Sequence, residues 1–141
     1  MSNSLRIFLT GISGGILFAS LLIYGTPLRY TDLLEPSIQD IAPIDFYEKY
    51  KNNPDGYVFV DVRGRDSYNE LHATGAINIP LYLLYDERHA LPKRGKEIIL
   101  ICSRARASGV AFSYLQHYGF RNISRIEGGI EAWVEAGLPT E

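Results

Sequence analysis

The chain has 141 residues, 46% hydrophobic and 21% charged, with a formal net charge of −2. These values exclude a disordered polyampholyte, a collagen-like repeat and a strongly basic nucleic-acid binder, and they leave room for one ordinary domain. One cysteine, Cys102, excludes an intrachain disulfide framework, a CxxC redox pair and a zinc site of several thiolates, and His72, His89 and His117 lack metal-ligand spacing.

Residues 7–25 (IFLTGISGGILFASLLIYG) contain no charged side chain. A helix of that length, at about 1.5 Å per residue, spans roughly the 30 Å hydrocarbon core of a bilayer. The segment therefore reads as a single transmembrane anchor, residues 1–25. A cleaved secretory signal competes, since Arg6 precedes the run and Ala19 and Ser20 are small, but the run is long and lacks a clean A-x-A site. Arg6 before the span, with Arg29 followed by acidic residues after it, favours a short inner N-terminus and an extracytoplasmic globular part. Gly11, Gly15 and Ala19 share one helix face, a small-xxx-small pattern compatible with an anchor-mediated homodimer. Residues 26–37 (TPLRYTDLLEPS), with Pro27 and Pro36, read as a tether, and the globular domain runs over 38–141.

Within that domain, Pro43 opens a helical stretch that ends at the Asn52-Asn53-Pro54-Asp55-Gly56 turn. Residues 57–62 (YVFVDV) predict a buried strand, 66–71 a short helix, 76–79 a small strand closed by Pro80, and 81–89 a helix. Residues 97–101 (EIILI) carry the signature of a central strand covered on both faces. Ala107, Val110, Ala111, Tyr114, Leu115 and Tyr118 then recur at helical spacing, with Gly119 as the stop. A strand over 122–126, a Gly128-Gly129 turn and a helix over 130–136 complete the order, with Ile130, Trp133 and Val134 as its core stripe. Alternating strands and helices predict an α/β domain with a mostly parallel sheet flanked by helices, whose reactive groups gather at the carboxyl ends of the strands.

That geometry singles out Cys102. It follows the apolar strand directly and opens the loop Cys102-Ser103-Arg104-Ala105-Arg106-Ala107-Ser108 before the strongest helix. Such a turn directs backbone N–H groups and a helix N-terminus into one concavity, and Arg104 and Arg106 add two cations. A thiolate is the anion this setting favours. A buried inert cysteine is the competing reading, which two nearby arginines argue against. Asp61 and Arg63, at a strand end, either line the site or form a partly buried structural pair. His72 reads either as a proton donor or as the holder of a loop by hydrogen bonds, and His89, Lys93, Arg94 and Lys96 read either as a solvated basic turn or as a patch that steers an anionic donor.

Five motifs then fall in order: Asp61-Val62-Arg63; the H-x-x-G-A-x-N-x-P run His72 to Pro80; Cys102 after a central strand; Gly119-Phe120 after a helix; and Gly128-Gly129 with Trp133, followed by Gly137-Leu138-Pro139. In these the chain resembles the rhodanese-like sulfurtransferases. The resemblance implies that Cys102 takes a sulfane sulfur from a small anionic donor such as thiosulfate, carries it as a persulfide, and passes it to cyanide or a thiol. It also implies that backbone amides from Ser103 to Ser108 cradle the transferred sulfur, and that no metal or organic cofactor takes part. The loop departs from the family's commonest C-x-x-G-x-R-S pattern: Ala105 stands at the glycine position and Ala107 at the arginine position, while Ser108 matches. If the position of Ala105 requires positive φ, a side chain there is strained. These departures keep a second reading open, a weakly active or inactive tethered module that binds or senses sulfide. A C-x5-R phosphatase is excluded, because Ser108 occupies the arginine position.

Overall fold

The computed structural model describes residues 38–141, one compact unit from Ile38 to Glu141. The expected membrane span over 7–25, its small-residue face and the tether lie outside the described residues. Among the described residues no helix is long and apolar enough to cross a membrane.

Five strands, β1 (Asp40–Ile41), β2 (Tyr57–Asp61), β3 (Ile77–Asn78), β4 (Glu97–Ile101) and β5 (Ile123–Ile126), form one sheet in the order β1-β5-β4-β2-β3. Every pairing is parallel. The helices are α1 (Pro43–Asn52), α2 (Arg65–Glu70), α3 (Leu84–Glu87), α4 (Arg106–His117) and α5 (Gly129–Glu135). Pro43 sits in the first turn of α1, where its missing N–H costs nothing, with Asp45 in that turn and Lys49 and Lys51 in the last, each complementing the helix dipole.

The continuous apolar run of β4 is explained by two cores. Side chains alternate across a strand, so Ile98 and Leu100 enter a cluster with Val60, Phe112, Leu115 and Phe120 on the α4 face. Ile99 and Ile101 enter the opposite cluster with Phe46, Phe59, Ile126 and Trp133 on the α1 and α5 face. Phe46, Phe59 and Trp133 meet there at ring-centroid separations of 4.8–6.2 Å.

Several expectations are corrected in detail. The helix expected over 81–89 is a turn followed by the single-turn α3 and a 3-10 turn at Arg88–Ala90. Leu84 is the only fully buried side chain of α3, while Tyr82 and Tyr85 face solvent, so one anchor supports one turn. Val110 and Val134, read as core positions, are exposed. The helical stripe is narrower than the apolar residues on it: the buried apolar side chains are Ala111, Phe112 and Leu115 on α4 and Ile130 and Trp133 on α5. The edge strand β1 went unpredicted: two residues carry no periodicity.

Candidate active site

From β2 the chain moves outward to β3, then returns past β2 to β4 and on to β5. The order of connection therefore reverses between β2 and β4, and the loops leaving their carboxyl ends diverge to form a cleft, the usual ligand position in an open α/β sheet. The cleft encloses about 500 Å³. Val62, Arg63 and Gly64 line it from the β2 end, and Cys102 to Arg104, Arg106 and Ala107 from the β4 end.

Cys102 is 1% exposed and lies at the cleft floor. Its Sγ stands 3.3 Å from the Oγ of Ser108, which is fully buried in the first turn of α4, and the thiol donates to that hydroxyl. Were the sulfur ionised, the hydroxyl would donate in return. The amides of Ser103 through Ser108 make no backbone or side-chain hydrogen bond among the described residues, and α4 has no side-chain N-cap. Six donors are therefore free around the loop that starts at the sulfur.

The loop's shape depends on Ala105. Its φ of 68° makes it the only non-glycine residue with positive φ among the described residues. The glycine position of the motif does demand a left-handed backbone, and alanine holds it at a cost of about 1–2 kcal/mol. Hydrogen bonds from β5 and α5 hold the loop in this shape. Arg125 on β5 donates from Nη1 to the Ala105 carbonyl at 2.9 Å while its other nitrogens engage Asp40 on β1, one of them at 2.9 Å. The α5 N-terminus holds the loop's opening residues: Ile130 N–H donates to the Cys102 carbonyl at 2.7 Å and Glu131 N–H reaches the Ser103 carbonyl at 3.5 Å. Gly129 permits that approach, since a Cβ on it would lie 2.2 Å from the Cys102 carbonyl oxygen.

The structure brings Cys102, Ser103, Arg104, Arg106, Ala107 and Ser108 together around the cleft, with Ala105 behind them as the turn. Arg63 reaches it too, but is held by Asp61: Nε and Nη2 contact both carboxylate oxygens at 2.6–3.0 Å, and Nη2 also donates to the Leu71 carbonyl at 2.7 Å. Asp61 is fully buried and is not among the residues lining the cleft. Arg104 does not bring a free cation to the loop. Its Nε lies 2.6 and 2.7 Å from the two Glu131 carboxylate oxygens, and this hydrogen bond, with the accompanying charge attraction, pushes the guanidinium's pKa further up. His72 is away from the cleft, stacked on Tyr68 with ring centroids 3.8 Å apart and with Nδ1 2.9 Å from the Tyr68 carbonyl. Sequence reasoning missed Glu131 and Arg125, whose partners are 27 and 20 residues away, and no spacing rule links such pairs.

The fold is a parallel α/β sheet with one buried thiol at its switch point, at the start of a loop whose amides are unpaired among the described residues. The chain belongs to the rhodanese-like domain family, whose model matches residues 45–136. It is similar to thiosulfate sulfurtransferase 16 of Arabidopsis thaliana, with 33% identity across 61% of this chain and 81% of that protein. It is also 38% identical to an uncharacterised Synechocystis protein over 61% of this chain, and spans about half (48%) of that relative's length. A rhodanese-related protein from Thermoplasma volcanium superposes with a TM-score of 0.64 at 31% identity, covering 73% of this chain and 97% of that structure.

Proposed function

We propose that this protein is a sulfurtransferase in which Cys102 carries sulfane sulfur as a persulfide. The observation that carries the reading is the convergence of the Cys102 sulfur, the Ser108 hydroxyl and the unpaired amides of Ser103 to Ser108 at the base of one cleft. With thiosulfate, the Cys102 thiolate attacks the sulfane sulfur, a new S–S bond forms, the old one breaks, and sulfite leaves with the electron pair. The outer sulfur of the resulting persulfide is an anion, which the free amides and the α4 N-terminus stabilise. Cyanide or a thiolate then attacks that outer sulfur, and the Cys102 thiolate departs with the bonding pair, regenerating the site. Every electron stays on sulfur, carbon or nitrogen of donor, enzyme and acceptor, so the cycle calls for no metal or organic cofactor.

The test is the intact mass of the purified chain after exposure to thiosulfate, with thiocyanate release followed on adding cyanide. A gain of one sulfur, about 32 Da, that is absent from Cys102→Ser supports the reading. Turnover surviving Cys102→Ser would remove it. Ala105 and Ala107 favour one other reading, a sulfide-binding module without turnover, for which neither mass gain nor thiocyanate appears.

We also propose that residues 7–25 tether this domain to a bilayer, on the outer side. The uncharged run and the flanking arginines support it. Release of the protein from membranes by alkaline carbonate would contradict it.

A further inference from the structure

A donor that delivers sulfur to the buried Cys102 must leave its remaining atoms toward the cleft mouth. The charges there decide which donor fits. Of the three guanidinium groups lining the cleft, Arg63 is paired with Asp61 and Arg104 with Glu131, while Arg106 has no carboxylate partner among the described residues. Ala107 adds no charge. Glu131 therefore does two things at the mouth: it occupies the Arg104 cation and places a carboxylate on the lining itself.

Thiosulfate makes a heavy demand on such a mouth. When its sulfane sulfur is transferred, the group left at the opening is sulfite, carrying two negative charges. A thiosulfonate, R–SO2–S⁻, reacts by the same step: the Cys102 thiolate forms a bond to the terminal sulfur, the S–S bond breaks, and a sulfinate leaves with the electron pair and a single charge. One free guanidinium matches one charge.

Building on the Cys102 sulfurtransferase reading, we propose that Glu131 is a specificity-determining residue that, by occupying Arg104, turns the cleft toward monoanionic sulfane-sulfur donors of the thiosulfonate class and away from dianionic thiosulfate. Glu131→Gln removes the carboxylate charge, keeps the side chain's size, and frees Arg104 for the dianion. Both residues are largely exposed, so folding is not at stake.

The experiment compares thiosulfate with methanethiosulfonate, with cyanide as acceptor, for the full chain and for Glu131→Gln. These donors share the reacting sulfur and differ by one charge at the far end. The full chain should show the higher kcat/KM with methanethiosulfonate. In Glu131→Gln the ratio of kcat/KM values should move toward thiosulfate by about threefold or more, and the shift should shrink as salt is added. A smaller or opposite movement overturns the assignment of Glu131. Cys102 gaining no sulfur from either donor, by intact mass, overturns the sulfurtransferase reading with it; sulfur gained without the shift in ratio overturns the specificity assignment alone.

Discussion

Arg125 Nη1 and the Ala105 carbonyl oxygen are 2.9 Å apart, so a guanidinium rooted on β5 holds the carbonyl of the one non-glycine residue in left-handed backbone among the described residues. Gly109, one turn into α4, leaves room for this: a Cβ there would approach Nη1 to 2.8 Å. Asp40 on the edge strand fixes the far side of the same guanidinium. Arg125→Met is expected to lower stability by roughly 2 kcal/mol, as a lost hydrogen bond to a charged group does, and to slow persulfide formation on Cys102. A denaturant midpoint and a single-turnover rate check the two effects. Loss of stability with an unaltered rate would separate Arg125 from the sulfur loop.

Ala105→Gly tests the strain directly. Glycine adopts positive φ freely but loses more chain entropy on folding, which offsets part of the gain. The expected net result is stabilisation by about 0.5–1 kcal/mol, read as a higher denaturant midpoint at constant slope. A lower midpoint would mean that the left-handed turn is relaxed in solution.

Gly129→Ala is expected to act in the other direction. The added methyl would stand 2.2 Å from the Cys102 carbonyl oxygen and 2.6 Å from that of Ser103, at a φ of 67°. Moving the loop aside displaces Cys102, so stability should fall by about 2–3 kcal/mol and, on the proposed function, thiocyanate production should fall with it. Unchanged turnover would show that the loop is not held from this side.

Asp61 and Arg63 form a structural unit beneath the cleft. The carboxylate is fully buried and accepts from the Arg63 backbone N–H as well as its guanidinium, while Asn78 Nδ2 donates to both the Asp61 and Arg63 carbonyls at 2.9 Å. Asp61→Ala leaves a nearly buried guanidinium without its counter-charge and is expected to cost about 3–5 kcal/mol. Circular dichroism melting reads this, and a change below about 1 kcal/mol would place the pair among replaceable surface contacts.

How far the sequence disclosed this arrangement depends on the range of the interaction concerned. The central strand and the cysteine after it were legible because EIILI is apolar without interruption, which only a strand covered on both faces tolerates. The glycine-seeking turn at Ala105 was legible as a departure from a motif. Val110 and Val134 misled, because helical periodicity marks a face but not how far the sheet beneath it extends. The cation expected from Arg104 was cancelled by Glu131, and the loop's support came from Arg125; both contacts are made by the tertiary fold, between residues that no local pattern couples.

Alkaline pH probes the contacts that α2 makes through Tyr68. Tyr68 on α2 donates its hydroxyl to the Ala76 carbonyl at 2.5 Å and stacks on His72. Burial, then the nearby negative charges of Asp61 and Glu141, raise its pKa above the ordinary 10.0. A phenolate also could not donate to Ala76. The folded chain thus binds this proton more tightly than the unfolded chain does, and the sign follows: the contribution is complete below the unfolded value and is lost as pH rises through the higher folded value. The denaturant midpoint of the native protein should therefore fall as the pH rises above the ordinary tyrosine value of about 10. Tyr68→Phe should be less stable by about 1 kcal/mol at pH 8, where the hydrogen bond is intact, and should show a shallower alkaline decline. An equally steep decline in the variant would assign the alkaline sensitivity to other groups and leave the Tyr68 hydroxyl without a thermodynamic role.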